Sequence, residues 1–277
     1  MARFQSFWFG DRLGPCQELC LKSFIDHGHE FDLYSYAQVR VPTGVRLRDA
    51  SEILPRDEVF FYPRGKGAGS PACFANLFRY RLLLERGGWW VDMDVVCLSP
   101  RTPEGELFFE WQDQQLIAIG ALKFPPSHPF IIALYGRCRA AGKDLVWAQT
   151  GPKLITALAK EMGLANRANP TGSVYPIHYS EAFLPVTKAG RAATYEKTRD
   201  APFLHLWNEI FRRKWSIALH NPPNGSFLAD LYKKHGVRRR YWALIDPYSI
   251  LKWGVEPWRW IEGLRSRSGK LWPRPAR

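Results

Sequence analysis

The sequence lacks any long hydrophobic run. No apolar stretch in its 277 residues approaches the ~18 residues of a membrane-spanning helix, and the stretch between Arg3 and Asp11 is too short for a signal peptide. We therefore expect no membrane span and a cytoplasmic location. Apolar material is nevertheless plentiful, because 46% of the residues are hydrophobic and 14% are aromatic. That content is enough for a large core and excludes extended disorder.

Cysteine is scarce, and its number is odd. Cys16 and Cys20 lie four residues apart on one predicted helix face, without the second ligand pair that a zinc site needs. Cys73 and Cys97 lie inside strongly apolar segments, and Cys138 is the fifth. This pattern favours buried free thiols in a reducing compartment over a disulfide framework.

Acidic residues are few near the C-terminus. Residues 203–277 hold 15 Lys and Arg against 5 Asp and Glu, whereas the first 202 residues hold 24 against 21. Seven of the twelve Trp also fall in this last stretch. A basic, Trp-rich end indicates either an anionic partner (a nucleic acid, an acidic membrane surface or a charged substrate) or a solvated basic face over packed Trp.

The N-terminal part predicts a strand, a helix and a second strand. Arg3–Phe9 is a short aromatic run that ends at Gly10, and the segment opened by Pro15 has apolar residues at helical spacing before Gly28. Phe31–Tyr36 alternates as a strand does. This order implies a parallel strand pair with a right-handed crossover, the opening of a nucleotide-binding type of α/β sheet.

Further elements are predicted up to residue 165. Helices are expected from Ser70-Pro71 to Arg86, over Phe130–Arg139, and over Lys153–Met162 with Thr150 as the cap. Extended segments are expected at Val59–Tyr62, Trp89–Val91, Val95–Leu98 and Leu116–Gly120. We expect one α/β domain over residues 1–210, with a basic aromatic extension over residues 211–277 packed on the same domain.

Two carboxylates, Asp92 and Asp94, directly follow the predicted buried strand Trp89–Val91. Ligands of open α/β sheets bind at the carboxyl ends of strands, and two acids one residue apart can reach one hard divalent cation. The alternative is a pair of solvated turn acids, but the apolar flanks make unsatisfied charges costly there. A calcium loop is excluded because its twelfth position is Pro103 rather than Glu.

An aspartyl phosphatase also places Asp-X-Asp at the end of a strand. Such an enzyme would need a later acidic cluster to complete its magnesium site, and no two adjacent acidic residues follow Glu58. The phosphatase is therefore the weaker interpretation of the pair.

The segment from Arg79-Tyr80 through Glu85-Arg86-Gly87-Gly88-Trp89-Trp90 to Asp92 and Asp94 resembles the signature of glycosyltransferases with a DXD motif and a sugar-binding region. These include family 32 enzymes, α-1,4-galactosyltransferases, capsular polysaccharide synthesis proteins and, distantly, the glucosyltransferase domains of large clostridial toxins. Weaker similarities follow in the same order along residues 4 to 210: Phe7-Trp8-Phe9-Gly10, Leu21 to Phe24, Gly28-His29, Thr150-Gly151-Pro152 and His205 to Asn208.

The resemblance implies a GT-A fold: a mixed, Rossmann-like sheet flanked by helices. It also implies a nucleotide diphosphate donor, with UDP as the expected nucleotide, a Mn²⁺ or Mg²⁺ ion, and retention at the anomeric carbon. The acceptor would be a glycan or a lipid-linked sugar, as in bacterial surface polysaccharide synthesis. Asp92 and Asp94 would hold the ion between themselves and the diphosphate, whose leaving charge it would neutralise.

The resemblance also implies a donor-binding set. Trp8 would stack on the donor base, although it could equally be a core Trp of the first strand. Asn76 stands where the family usually has Asp, and it shares a helix face with Arg79, which would hold sugar or phosphate oxygens. Gly88 and Asp92 complete the set, and the expected catalytic residues are Asp92, Asp94 and Arg79.

The late segment His205-Leu206-Trp207-Asn208 resembles a motif that brings one more metal ligand from the C-terminal part of the domain. His205 would then bind the ion and favour Mn²⁺ over Mg²⁺, since imidazole suits manganese better. The alternative is a histidine that is satisfied by a backbone carbonyl. Trp207, Asn208, Gly151 and Pro152 would line the sugar or acceptor pocket.

The basic tail predicts peripheral docking on an anionic membrane, because Arg238 to Arg240 precede Tyr241 and Trp242. A nucleic-acid-binding module is the rival class, but Trp253, Trp258 and Trp260 show no RNA-binding pattern, so no nucleic acid is expected. A second rival is an inactive homologue that only binds sugars.

Overall fold

The structure is a computed structural model that describes residues 1–211 and 219–238. Its strands are β1 (Arg3–Trp8), β2 (Glu30–Ser35), β3 (Val45–Asp49), β4 (Gly88–Val91), β5 (Val95–Cys97), β6 (Ala121–Phe124) and β7 (Phe203–His205). Its helices are α1 (Pro15–Asp26), α2 (Ala72–Arg86), α3 (Pro129–Ala140), α4 (Pro152–Glu161), α5 (Arg191–Thr198), α6 (Asn208–Phe211) and α7 (Phe227–Lys234).

Five strands form one mixed sheet in the order β3-β2-β1-β4-β6. The first four are parallel, and β6 is antiparallel to β4. The chain passes from β1 to β2 on one side and later returns to place β4 on the other side of β1. A crevice for a ligand opens where the strand order reverses in this way, at the carboxyl ends of β1 and β4.

Both faces of the sheet are buried under hydrophobic clusters. Successive side chains of a strand point to opposite faces, so neighbouring residues belong to different clusters. In β4, Trp90 packs into one hydrophobic cluster while Trp89 and Val91 pack into the other. β1 divides in the same way between Phe7 and Phe4. The predicted mixed α/β sheet flanked by helices is therefore confirmed.

A separate two-stranded ribbon lies beyond the main sheet. β5 pairs antiparallel with β7, so that Val95 lies opposite His205. A third hydrophobic cluster joins this ribbon to α1 and α7 through Leu204, Leu19 and Leu228. The described part of the C-terminal extension thus packs on the rest of the chain. Residues 239–277 lie outside the described residues, and the division at residue 210 stays a prediction.

Two predicted strands are wrong. Val59–Tyr62 forms no strand, because Tyr62 exchanges hydrogen bonds with Gly69 and Ser70 in a local loop instead of with a sheet edge. Its apolar residues instead pack against the core beside α2. Leu116–Gly120 has only an isolated bridge, between Trp111 and Ile117, and the sixth strand begins at Ala121.

The helix predictions hold to within a residue or two, but two caps differ. α2 begins at Ala72, one residue later than predicted, with Pro71 as its N-cap. α4 is preceded by Gly151, and Thr150 does not cap it. The Thr150 hydroxyl oxygen accepts a hydrogen bond from Asn76 instead. The sequence also gave no clear signal for α5, since its residues are mostly polar.

All five cysteines are buried free thiols, as the sequence predicts. Burial raises the pKa of Cys73 to about 11, so this thiol is protonated and unreactive at neutral pH. Within residues 1–211 and 219–238, no helix combines the length and the apolar character needed to cross a bilayer.

Gly87 joins α2 to β4 at a positive φ of 61°, and a Cβ there would lie 2.6 Å from the backbone nitrogen of Pro126. Gly28 also has a positive φ, but a Cβ there would meet nothing within 4 Å. We expect Gly28→Ala to lower the free energy of unfolding by about 1 kcal/mol and Gly87→Ala by about 3 kcal/mol, because only the latter adds a steric clash to the backbone strain. Urea unfolding of both variants measures the difference; equal losses would contradict the close approach.

Candidate metal centre

Asp92 and Asp94 lie in the tight turn between β4 and β5. The Asp92 amide donates to the carbonyl oxygen of Gly120 at 2.7 Å, and the Val95 amide donates to the Asp92 carbonyl at 3.0 Å. The Leu206 amide donates to the Asp94 carbonyl at 2.8 Å, which ties the turn to the end of β7. Backbone hydrogen bonds on both sides thus hold the main chain of the turn that carries the two carboxylates.

Three side chains converge at this turn. The ligand atoms of Asp92, Asp94 and His205 all lie within 4.8 Å of one another, so this cluster could hold a metal ion. His205 Nε2 lies 3.4 Å from Asp94 Oδ1. The side chains are 27%, 13% and 12% exposed, respectively, which leaves the cluster reachable from solvent.

Burial raises the pKa of Asp94, and the negative charge of Asp92 raises it further. The neighbouring His205 and the amide of Asn208, which donates to Asp94 Oδ2 at 2.8 Å, act in the opposite direction. Two carboxylates held this close repel each other when both are charged, and partial burial strengthens the repulsion because less water screens it. A cation between them would relieve that repulsion.

A chain of buried polar side chains fixes Asp92 from the other side. Thr150 accepts a hydrogen bond from Asn76 Nδ2 at 3.3 Å, and Asn76 Oδ1 accepts one from Arg79 Nη1 at 3.1 Å. Arg79 Nη2 then donates to Asp92 Oδ1 at 2.5 Å, where Trp90 Nε1 also donates at 2.8 Å. Only 4% of the Arg79 side chain is exposed. In this structure Arg79 therefore positions Asp92.

The remaining predicted donor residues lie at different places. Trp8 ends β1, at the same edge of the sheet as Asp92, because Gln5 pairs with Trp90 in the register. Its indole is half-buried, and its Nε1 donates to the carbonyl of Arg12. Gly88 begins β4 and thus lies at the opposite end of that strand from Asp92. The structure does not bring Gly88 into the cluster.

The predicted pocket residues lie on two sides of the cluster: Gly151 and Pro152 beside Asn76, and Trp207 and Asn208 beside His205 and Asp94. A Cβ on Gly151 would lie 3.3 Å from Asn76 Nδ2, so the turn before Pro152 packs directly on the Asn76 side of the network. The Trp207 ring contacts the His205 ring at 4.5 Å between centroids. Asn208 reaches the cluster through its backbone amide. Sugar binding by these residues stays a prediction.

Trp207 reaches His205 in a way that an extended segment would not give. Its φ is 55°, an uncommon left-handed conformation for a bulky residue. Its amide donates to His205 Nδ1 at 3.2 Å, and its Nε1 donates to the carbonyl of Ile177 at 2.9 Å. The strained backbone thus turns the indole back over the histidine.

Sequence reasoning missed Gly120 and Tyr175. The Gly120 amide donates to Tyr175 Oη at 3.0 Å, and a Cβ on Gly120 would lie 2.6 Å from that oxygen and 3.0 Å from His205 Cδ2. Gly120 therefore leaves the space that His205 and Tyr175 occupy. No local pattern marks these residues, since their partners are distant in sequence.

Glu110 is a third missed residue, buried at 1% exposure. Its carboxylate accepts hydrogen bonds from the amides of Gly172, Ser173 and Val174. Burial raises the pKa of Glu110 to about 7, although these hydrogen bonds lower it. Val174 in turn accepts a hydrogen bond from the His205 amide at 2.9 Å. Glu110 thus supports β7 and His205 from behind.

Comparison with known proteins gives distant structural similarities. No family model and no curated protein matches the sequence. The chain is similar to the solved PaToxG glycosyltransferase, with a TM-score of 0.44 and 10% identity over 58% of this chain and 68% of that one. It is also similar to WbbM, a bifunctional glycosyltransferase, with a TM-score of 0.42 and 12% identity over 84% of this chain and 51% of that one.

A third similarity is to the glycosyltransferase GlyE of Streptococcus pneumoniae TIGR4, with a TM-score of 0.37 and 12% identity over 87% of this chain and 66% of that one. The chain thus spans about half of the WbbM chain and about two thirds of the other two. Similarities this low assign neither a family nor an activity, so a functional assignment depends on the site itself.

We expect Gly120→Ala to weaken the binding of a divalent cation by the cluster, with Mn²⁺ as the probe, and to destabilise the fold by about 1–3 kcal/mol, because the added methyl group displaces Tyr175 and His205. Gly136→Ala is the matched control, since a Cβ at this position in α3 meets nothing within 4 Å. Electron paramagnetic resonance of free Mn²⁺ and urea unfolding measure the two effects. Equal behaviour of the two variants would contradict a role for Gly120 in shaping the centre.

Proposed function

We propose that this chain is a metal-dependent glycosyltransferase with a GT-A fold. It would transfer a sugar, with retention, from a nucleotide diphosphate donor such as a UDP-sugar to a glycan or a lipid-linked acceptor. The observation that carries the proposal is the convergence of Asp92, Asp94 and His205 beside the strand-order reversal of the sheet. The sequence resemblance over residues 4 to 210 supports the same activity.

The donor set fits a divalent cation. Two carboxylates and one imidazole suit Mn²⁺ better than Mg²⁺, which prefers oxygen ligands alone. His205 would hold the ion through Nε2, the ring nitrogen that lies 3.4 Å from Asp94 Oδ1. In this structure its other ring nitrogen, Nδ1, accepts a hydrogen bond from the Trp207 amide at 3.2 Å, and this contact orients the ring.

The bound ion would supply Lewis-acid stabilisation of the charge on the departing diphosphate. The protein's own residues would do the positioning. Arg79 and Trp90 hold Asp92 Oδ1, which leaves Oδ2 to face a ligand. Trp8 lies at the same sheet edge, where its half-buried indole would offer a stacking face to the donor base. Asn76 supports Arg79, so it would act on the donor through this network.

Membrane docking by the tail stays a prediction. Of the residues on which it rests, Arg238 is exposed, whereas Arg239, Arg240, Tyr241 and Trp242 lie outside the described residues. The Trp-rich segment after Trp253 also lies outside them. A location at the inner face of the membrane is accordingly part of the proposal.

We expect Asp92→Asn and Asp94→Asn each to lower metal-dependent donor hydrolysis and transfer about 100-fold or more, because each removes a charge that holds the ion at the diphosphate. The metal-free stabilities should differ in direction. Asp94→Asn relieves carboxylate repulsion and should unfold at an unchanged or higher temperature. Asp92→Asn removes the negative charge that pairs with buried Arg79, so this variant should unfold at a lower temperature.

Thermal-shift screening of nucleotide sugars with and without Mn²⁺ identifies the donor and tests these variants. Asp144→Asn is the control, since Asp144 forms an exposed ion pair with Arg64. We expect one nucleotide sugar to stabilise the protein only when Mn²⁺ is present. This stabilisation should be lost in Asp92→Asn and in Asp94→Asn but kept in Asp144→Asn. Full activity in both site variants would overturn the assignment, and binding without turnover would leave an inactive sugar-binding homologue.

We expect His205→Ala to weaken Mn²⁺ binding by at least about tenfold, because the ion loses one of its three protein ligands. His128→Ala is the matched control, since His128 Nδ1 also accepts a backbone hydrogen bond, from Phe130 in α3. Electron paramagnetic resonance measures free Mn²⁺ without any need for turnover. An unchanged Mn²⁺ affinity in His205→Ala would remove His205 from the centre.

A further inference from the structure

We infer that an open cleft beside the metal centre binds the uncharged saccharide end of the acceptor, an inference that rests on the proposed glycosyl transfer. The cleft is shallow and largely open to solvent, with a volume of about 840 Å³. One wall is the turn from Trp111 to Gln115, and the other carries Pro170, Thr171, His178 and Tyr179.

Hydrogen bonds between the two walls hold the cleft open before any ligand binds. The Trp111 amide donates to the carbonyl of Asn169 at 3.0 Å, and the Thr171 hydroxyl donates to the carbonyl of Trp111 at 2.7 Å. Directly before Trp111, buried Glu110 binds the amides that follow Thr171. A cleft with fixed walls loses little entropy when it binds a ligand.

The lining has the chemistry of a site for neutral sugars. Tyr179 is 47% exposed, its ring lies 3.9 Å from the His178 ring, and Trp111 is half-buried across from it. Aromatic faces of this kind pack against the apolar C–H face of a sugar ring. The side-chain amides of Gln114 and Gln115 are exposed at the cleft, where they can donate to and accept from hydroxyl groups.

The charges of the cleft do not favour an anionic ligand. No Lys or Arg is among the described residues that line it, although the whole chain carries a net charge of +13. Its carboxylate, Asp113, accepts hydrogen bonds from the amides of Gln115 and Leu116. Burial raises the pKa of Asp113, but a hydrogen bond from Gln112 and those from the two amides together bring it below its ordinary value. The Asp113 carboxylate is therefore negative at neutral pH. A phosphate or carboxylate group of a ligand would be repelled by Asp113, with no basic side chain of the cleft lining to offset that repulsion.

Aromatic contacts connect the cleft to the metal centre. The Tyr179 ring lies 5.9 Å from the Trp207 ring, and the Trp207 ring lies 4.5 Å from the His205 ring. The left-handed backbone of Trp207 places its indole between the two. A saccharide that stacks on Tyr179 would therefore be separated from His205 by the Trp207 indole alone. An acceptor of two or more sugar rings would extend from the cleft past this indole towards the metal centre.

Saturation-transfer NMR on the full chain tests the cleft directly. The probes are lactose, maltotriose and N,N′-diacetylchitobiose at millimolar concentration, with 3′-sialyllactose as the anionic counterpart. We expect at least one neutral probe to bind and the anionic one to bind more weakly. Binding of none of the neutral probes, or stronger binding of 3′-sialyllactose, would overturn the inference.

Two variants locate the binding. Trp111→Ala and Tyr179→Ala should each weaken it by at least about tenfold, since aromatic anchors dominate such contacts. Tyr195→Ala is the matched control, because Tyr195 is 44% exposed on α5 and does not line the cleft. Thermal unfolding checks that the variants are folded. Should Trp111→Ala fail to fold, Tyr179→Ala decides alone. Unchanged binding in folded cleft variants would overturn the inference.

Failure of the cleft and failure of the proposed function give different results. If a nucleotide sugar binds with Mn²⁺ but no neutral saccharide binds, the cleft is not the acceptor site and the transferase remains. If saccharides bind in the cleft but no nucleotide sugar binds, saccharide recognition is supported and sugar transfer is overturned. Where both bind, the cleft variants should reduce transfer to the saccharide while hydrolysis of the donor by water stays unchanged.

Discussion

Repulsion between two partly buried carboxylates is the constraint that the contacts of the candidate site must balance. Asp92 and Asp94 lie one residue apart where burial raises the pKa of Asp94. Arg79 compensates Asp92 by a short ion pair, but the partner of Asp94 is a histidine that is charged only when protonated. Arg79 is thus the one permanently charged cation among the described contacts of the two carboxylates, and a divalent cation between them would complete the centre.

The two sides of the centre depend on different parts of the chain. Asp92 is held through side chains, by the network that runs from Thr150 to Arg79 on the α2 face of the sheet. Asp94 is held through backbone, by the β5–β7 ribbon and the amide of Asn208. The turn between β4 and β5 is where these supports meet. A cation bound there would link the two supports directly through the carboxylates that each of them holds.

What the sequence could predict follows the range of the interactions. The first strands, the helix α2 and the acidic pair carry local signals, namely residue periodicity, a double glycine and two charges after an apolar run. The predicted strand at Val59–Tyr62 is wrong because a short apolar run indicates burial but not whether a sheet edge is available to pair with it. Gly120, Tyr175 and Glu110 were missed because their partners lie 50 or more residues away. His205 was found only through the order of family motifs, and the structure then placed it opposite Asp94.

Glu110 connects the metal centre to the cleft. Its carboxylate accepts hydrogen bonds from the amides of residues 172 to 174. Pro170 and Thr171, directly before this segment, line the cleft, and the carbonyl oxygen of Val174 accepts a hydrogen bond from the His205 amide. Trp207 makes a second connection, since it contacts both Tyr179 and His205. The Trp207 indole thus lies between the histidine of the centre and a tyrosine that lines the cleft. The hydrogen bonds between the cleft walls do not involve the side chains of the centre, so the two sites share a supporting framework while the cleft keeps its shape without an ion.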